Sequence, residues 1–148
     1  MKKGMEIKPT VQKIIAKYGT NDPYSIADQM GIIIQRQDLG TVRGFYHKAF
    51  RIRQIFLNEN LNEREELFVT SHELGHAVLH PDSNTPFLKS NTYFSVNKLE
   101  VEANKFAVEL LIPDDDLKEY KDFTAKQVAN IYGIHEKMLE LRLSLHLL

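Results

Sequence analysis

Apolar and polar residues follow two different periods in the first part of the chain. Residues 1–31 contain two short segments with helical spacing, and a glycine ends each of them. Residues 32–58 are instead rich in β-branched and aromatic side chains, with turn-forming signals at Gly40 and over 48–51. This pattern predicts N-terminal helices over 1–31 and a small, mainly antiparallel, three-stranded sheet over 32–58.

The rest of the chain has mainly helical spacing. Asn62, with Glu65 three residues later, predicts a capping box at the start of a long helix. Two prolines and many turn-forming residues predict a loop over 81–95. The length suits a single domain, so we predict one α+β domain over 1–148. The predicted helical units after the sheet are 62–80, 97–111 and a C-terminal helix pair over 124–146.

The composition excludes several classes of protein. A formal net charge of −1 gives no overall attraction to nucleic acid or to an anionic membrane. No apolar run has the length of a signal peptide or of a membrane-spanning helix. The absence of cysteine excludes disulfides, leaves His, Asp and Glu as metal ligands, and fits the cytoplasm. We therefore predict a cytoplasmic protein that binds neither a membrane nor, directly, nucleic acid.

Three of the six histidines lie in the stretch SHELGHAVLH, at 71–80. On a helix, His72 and His76 share one face, so both imidazoles can bind one cation. Glu73 is rotated by about 100° from His72, which places it beside the cation as a base. This H-E-x-x-H pattern indicates a zinc site, although a helix with surface histidines has the same spacing. His80 fits the end of the helix, where the helix dipole favours it, and could also line the cleft.

Two glutamates in the predicted helix over 97–111 compete to be the third ligand that catalytic zinc requires. With about 100° per residue, Glu100 lies within the apolar arc of that helix, where an unpaired carboxylate is costly. Glu102 and Glu109 lie on the opposite side, and we predict that this side is solvated. Glu100 is therefore the favoured ligand. A capping role for Glu100 with Asn97, and ligation by Glu102, remain as alternatives.

The two helical motifs together resemble a known family. HELGHAVLH followed by LEVEANKFAVELLIP resembles the ImmA/IrrE family of metallopeptidases, whose signature pairs HELGH with a downstream E-x-x-A-N-x-F-A-x-x-L-L-x-P. The resemblance covers at least residues 65–113. The matching fixed positions of the second motif are Glu100, Ala103, Asn104, Phe106, Ala107, Leu110, Leu111 and Pro113.

The resemblance implies a zincin-like minimal metallopeptidase core, in which the sheet packs on an active-site helix and on a second, ligand-bearing helix. It implies one zinc ion on His72, His76 and Glu100, with Glu73 as the general base of peptide hydrolysis. Asn104 matches the position where related zincins place an acidic residue that orients a ligand histidine. With an amide at that position, the expected contact is a neutral hydrogen bond.

Substrate contacts are predicted on the strand TVRGFYHKAF, because zincins pair an extended substrate with an edge strand. Within this strand, Gly44 would let a substrate backbone approach closely beside Phe45. Tyr93, His47 and Tyr46 are candidates for stabilising the oxyanion of the transition state. An ordinary surface or packing role is the alternative for each of these three residues.

We predict a zinc endopeptidase of narrow specificity, because so small a domain leaves little surface for a general digestive cleft. The family resemblance implies that it cleaves a partner transcriptional repressor, often one with a helix-turn-helix domain, as an antirepressor of a phage or mobile element. The alternative is a zinc-containing module that titrates the repressor without cutting it, but a purely structural site would not need Glu73. A DNA-binding regulator is disfavoured, because Lys137 and Arg142 in the C-terminal helix pair are offset by Glu136 and Glu140. We predict that this pair is structural or docks on a partner.

Overall fold

The computed structural model describes residues 6–88, 95 and 97–146, and it confirms the α+β class. No helix within these ranges is long and apolar enough to cross a membrane. The elements, in chain order, are α1 (Ile7–Tyr18), α2 (Pro23–Gln29), β1 (Ile33–Gln37), β2 (Gly44–Ala49), β3 (Ile52–Asn58), α3 (Glu63–Leu79), β4 (Thr85–Leu88), α4 (Lys98–Leu111), α5 (Asp114–Glu119), α6 (Ala125–Tyr132) and α7 (Glu136–His146).

The sheet has the strand order β1-β3-β2-β4. β2 runs antiparallel to both β3 and β4, whereas β1 runs parallel to β3 because the chain reverses twice between them. The pairing is thus mainly antiparallel, as predicted. The structure adds the strand β4 inside the segment 81–95, which the sequence predicts as a loop. A strand of four residues carries little local signal, and its pairing with a distant strand determines its conformation.

Local signals in the sequence define where several helices begin and end. α1 ends at Gly19, whose φ of 71° lies in the left-handed region that glycine adopts without strain. α2 begins after Asp22, whose side chain accepts a hydrogen bond from the Tyr24 amide. α3 begins after Asn62, and the predicted capping box with Glu65 is present. The start of α3 at Asn62 thus determines which turn of that helix carries each of the residues that follow it.

α3 lies at the centre of the molecule, between the sheet and α4. Its apolar residues Val69, Leu74 and Ala77 belong to the buried cluster that includes the sheet, and Phe68 belongs to a second cluster with α4 and α7. Gly75 allows α4 to approach, because a Cβ atom there would lie 3.0 Å from the side chain of Phe106. The two helices are therefore close enough to share one site.

A buried arginine joins the C-terminal helices to α4 and α5. Arg142 is 1% exposed, and its guanidinium donates hydrogen bonds to the Ile112 carbonyl at 2.8 Å and to Asp114 at 2.6 Å. Its Nη1 lies 3.8 Å from Oε2 of Glu109, which is also buried. The prediction that Glu109 is solvated is therefore wrong. The helical wheel of α4 contains no information about α7, which covers that side of α4.

Candidate metal centre

The side chains of three residues from two helices, His72, His76 and Glu100, converge between α3 and α4. Nε2 of His72 lies 3.0 Å from Oε1 of Glu100, and Nε2 of His76 lies 3.0 Å from Oε2 of the same carboxylate. The two Nε2 atoms lie 3.2 Å apart. Both imidazole side chains are fully buried, whereas the Glu100 side chain is 21% exposed. The helical spacing of the histidines produces the shared face, and the apolar arc of α4 directs Glu100 toward it.

These three residues fit a divalent metal ion in both chemistry and spacing. Two imidazoles and a carboxylate are the protein ligands of one common class of catalytic zinc site. Ligand atoms around a tetrahedral zinc lie roughly 3.2–3.6 Å apart, given zinc–ligand bonds of about 2.0–2.2 Å. The two Nε2 atoms, 3.2 Å apart, already match this range, and each of them lies 3.0 Å from a different oxygen of the Glu100 carboxylate. With one ligand atom from each residue, all three atoms lie within 4.8 Å of one another, so the group can hold an ion after an adjustment of its side chains.

The electrostatics of the group also suit a cation. Burial tends to raise the pKa of Glu100, but hydrogen bonds with His72 and His76 outweigh burial and hold that pKa well below its ordinary value. Glu100 is thus ionised at neutral pH. Burial is the largest effect on His76 and lowers its pKa, in spite of the opposing hydrogen bond with Glu100. A neutral imidazole and an ionised carboxylate are the forms that bind a metal.

The far side of each imidazole is also in contact with the protein. Nδ1 of His72 lies 2.7 Å from Oδ1 of Asn104, whose side chain α4 supplies. Nδ1 of His76 lies 3.2 Å from Nδ1 of His80, and Nε2 of His80 lies 2.7 Å from Oε1 of Glu102. Each histidine of the group is therefore held at both ring nitrogens.

Glu102 corrects a prediction made from the sequence. Its side chain is only 13% exposed and contacts His80, so it is not solvated as the helical wheel of α4 indicates. His80 is the non-helical residue that caps α3, with φ of −134°, so its ring reaches a part of α4 that the wheel assigns to solvent. A signal for the role of His80 was present, because residues 72, 76 and 80 repeat histidine every four positions.

Glu73 is fully buried on α3, next to His72 in the chain. A buried carboxylate is costly unless the protein uses it in a polar network or in chemistry. Glu73 follows His72 on the helix, so its side chain points about 100° away from that of His72 around the helix axis. The structure therefore gives Glu73 an interior position on the helix that carries both histidines.

β2 is not an edge strand, which corrects the prediction for Gly44 and Phe45. It lies between β3 and β4, and β4 pairs with it across Gly44 and Leu88. Gly44 is needed for internal packing, because a Cβ atom there would lie 2.7 Å from the Phe56 carbonyl oxygen and 2.8 Å from Cγ1 of Val69. The absent side chain lets α3 pack against the sheet and does not admit a substrate from outside.

The proposed oxyanion stabilisers have other positions. Tyr46 is fully buried, and its hydroxyl donates a hydrogen bond to the Pro81 carbonyl at 2.7 Å. Burial also raises its pKa. His47 and Phe45 lie on the opposite face of β2 from Tyr46, where Phe45 stacks on Phe56 with ring centroids 4.7 Å apart. The buried hydrogen bond of Tyr46 gives it a packing role, the role of His47 stays a prediction, and Tyr93 lies outside the described residues.

Comparisons with known proteins agree with this geometry. A family model for the IrrE N-terminal-like domain, a peptidase family, matches residues 27–144. The chain is 47% identical over 139 residues to "uncharacterized immunity region protein 2" of Bacillus phage phi105, which covers 92% of this chain and 88% of the phage protein. It is 35% identical over 144 residues to "metallopeptidase ImmA" of Bacillus subtilis (strain 168), which covers 93% of this chain and 84% of that protein. The matched region includes both helices that carry the candidate ligands.

Proposed function

This chain belongs to the IrrE N-terminal-like family of metallopeptidases, and on that premise we propose that it is a zinc-dependent endopeptidase of narrow specificity. Its proposed substrate is a transcriptional repressor with a helix-turn-helix domain, so that cleavage relieves repression in a phage or mobile element. The observation that carries the proposal is the convergence of His72, His76 and Glu100 on one point. The proposal also implies activity in the cytoplasm, where a DNA-bound repressor would be found.

His72, His76 and Glu100 would hold the zinc ion. When bound, zinc supplies a Lewis acid that polarises a peptide carbonyl and makes a water molecule more acidic. Glu73 is the proposed general base: its carboxylate accepts a proton from the attacking water and later delivers that proton to the leaving amine. Oδ1 of Asn104 lies 2.7 Å from Nδ1 of His72 and would accept a hydrogen bond from it, which would leave the lone pair of Nε2 available to the ion.

Two facts support a repressor as the substrate. The phage phi105 relative is named for an immunity region, and the family resemblance implies cleavage of a repressor. A direct DNA-binding role for the C-terminal helices has little support, because Arg142 is buried in an ion cluster. We propose that α6 and α7 complete the fold and do not contact DNA.

The second candidate function is a zinc-containing module that binds a repressor without cutting it. The two functions differ in their need for Glu73. A module that only binds would need the three ligands but no base, whereas hydrolysis requires a base such as the carboxylate that Glu73 supplies next to His72 in the chain. The protease is therefore the preferred proposal.

Cleavage of the helix-turn-helix protein encoded nearest to this chain's gene tests the proposal. The zinc-loaded chain should cut that protein into fragments with a defined new terminus, identified by mass spectrometry. Glu73→Gln should bind zinc equally well but lower the cleavage rate about 10²–10⁴-fold, because it removes the base and leaves the ligands in place. Glu63→Gln makes the same chemical change at an exposed position of α3 and should cleave like the wild type.

The two functions predict different results for Glu73→Gln in cells. In a reporter strain that carries the repressor, the endopeptidase predicts that this variant no longer relieves repression. Full relief by Glu73→Gln, with an intact repressor, would replace the endopeptidase by the titrating module.

A further inference from the structure

A chain of buried polar groups continues from His76 away from the metal site. Nδ1 of His76 lies 3.2 Å from Nδ1 of His80, and Nε2 of His80 lies 2.7 Å from Oε1 of Glu102. The side chain of His76 is fully buried, that of His80 is 7% exposed and that of Glu102 is 13% exposed. Little water can reach these atoms, so the protein groups themselves must satisfy one another's hydrogen bonds.

The carboxylate of Glu102 determines the direction of both hydrogen bonds in the series His76, His80 and Glu102. The contact at the end of this series joins Nε2 of His80 to a carboxylate oxygen, so the ring nitrogen donates the hydrogen bond and Oε1 of Glu102 accepts it. A neutral imidazole has a single N–H, which leaves Nδ1 of His80 as an acceptor. Nδ1 of His76 must then carry the proton of that contact. With the proton on Nδ1, Nε2 of His76 would offer its lone pair to a metal ion in place of its hydrogen bond with Oε2 of Glu100, which lies 3.0 Å away.

We propose that His80 and Glu102 are positioning residues, which select the tautomer and the ring orientation of His76 that bind the metal. This inference rests on the metal site of the proposed function and extends it to two residues beyond the three ligands. The carboxylate also draws the shared protons toward itself, which makes Nε2 of His76 a more basic ligand.

The selection matters because His76 has a competing hydrogen bond. Oε2 of Glu100 lies 3.0 Å from its Nε2 and would accept a proton from that nitrogen before the metal binds. A ring with the proton on Nε2 cannot bind a cation there. The contacts with His80 and Glu102 favour the proton on Nδ1 and so offset this competition.

His72 has no comparable directional partner among the described contacts of its Nδ1. The Asn104 side chain contains both an acceptor and a donor, and rotation of the amide exchanges them. The two ligand histidines are thus oriented by different means. Of the two ligand histidines, His76 is the one whose described contacts lead through a second imidazole to a carboxylate.

Zinc affinity measured by competition with a chelator tests the proposal on the full-length chain. Glu102→Gln keeps the size of the side chain, but its amide can also donate a hydrogen bond to Nε2 of His80. The hydrogen bonds between residue 102, His80 and His76 can then all run in the opposite direction, which puts the proton of His76 on Nε2. We expect it to weaken zinc binding about 10-fold, and His80→Phe to weaken it about 10–100-fold, because contacts behind a ligand typically contribute this much. Glu59→Gln, the same change at an exposed carboxylate, should leave affinity unchanged.

A spectroscopic readout separates positioning from a general effect on folding. Long-range ¹H–¹⁵N correlation spectra of the zinc-loaded wild type should show the proton of His80 on Nε2 and a bare Nδ1. In Glu102→Gln, signals from the reverse tautomer of His80 should appear. A proton on Nδ1 of His80 in the wild type, or a zinc affinity of Glu102→Gln within twofold of the wild type, would overturn the proposal. A wild-type chain that binds no zinc would instead overturn the proposed function.

Discussion

At the scale of single residues, the hydrogen bond between His72 and Asn104 has a clear consequence for metal binding. The distance of 2.7 Å from Nδ1 to the amide oxygen is that of a strong contact, and Asn104 is only 2% exposed. A neutral amide orients the imidazole but adds less negative potential than a carboxylate would. The buried position also leaves little room for a water molecule to take over this contact.

Replacement of Asn104 by Ala should weaken zinc binding about 10–100-fold, because His72 loses the acceptor that fixes its ring. Asn104→Asp keeps an acceptor and should bind zinc at least as tightly as the wild type. Competition with a chelator measures both affinities, and circular dichroism of the metal-free variants controls for folding. Wild-type affinity in a folded Ala variant would mean that the ring of His72 does not depend on this hydrogen bond.

At the scale of elements, two glycines determine how closely β2, α3 and α4 pack. The space beside Gly44 is closed by the backbone oxygen of Phe56, which cannot rotate away, and by Val69 of α3. The space beside Gly75 is closed by Cβ of Phe106 at 3.0 Å and by two of its ring atoms at 3.1 Å, which are looser contacts than the 2.7 and 2.8 Å beside Gly44. The packing of β2 against its neighbours is therefore less tolerant of an added methyl group than the packing of α3 against α4.

Gly44→Ala should lower the free energy of unfolding by about 1–3 kcal/mol, the usual cost of overpacking a core. Gly75→Ala should cost less, because the gain of about 1 kcal/mol in helix propensity offsets part of the contact with Phe106. Urea denaturation of both variants measures the two free energies. A larger loss for Gly75→Ala than for Gly44→Ala would contradict this order.

The sequence predicts those elements and site residues whose causes are local. The ends of α1 and α3 follow from Gly19 and from the Asn62 capping box, and the shared face of the two ligand histidines follows from helical spacing alone. β4 and the position of Glu102 could not be predicted in this way. Both depend on contacts between segments far apart in the chain, with β2 in one case and with the cap of α3 in the other.

At the scale of the whole molecule, Asp114 connects the first and the last helix. It accepts hydrogen bonds from Nζ of Lys8 in α1 and from Nη2 of Arg142 in α7, each at 2.6 Å. The two contacts hold the pKa of Asp114 well below its ordinary value, and the contact with Lys8 has the larger effect. The stability that they contribute is present above the ordinary aspartate pKa of about 4 and is lost as pH falls below it, because the unfolded chain then binds a proton that the folded chain does not.

Asp114→Asn should destabilise the fold by about 1–2 kcal/mol at pH 7, a value reduced from that of a buried pair because the carboxylate is partly exposed. The difference from the wild type should shrink at pH 3, since the wild type loses the contribution of its carboxylate there and the variant has none to lose. Urea denaturation at both pH values measures this difference. Asp115→Asn, at a side chain that is 92% exposed, is the matched control and should have little effect at either pH. A difference that grows toward pH 3 would contradict the prediction.

Crystals of the zinc-loaded chain, measured at the zinc absorption edge, test the shared metal site most directly. We expect one anomalous peak per chain, with Nε2 of His72, Nε2 of His76 and a carboxylate oxygen of Glu100 each about 2.0–2.2 Å from it. A peak at other residues would contradict a metal centre built from α3 and α4. An ion bound by the two imidazoles alone, with the Glu100 side chain turned away from it, would contradict it as well.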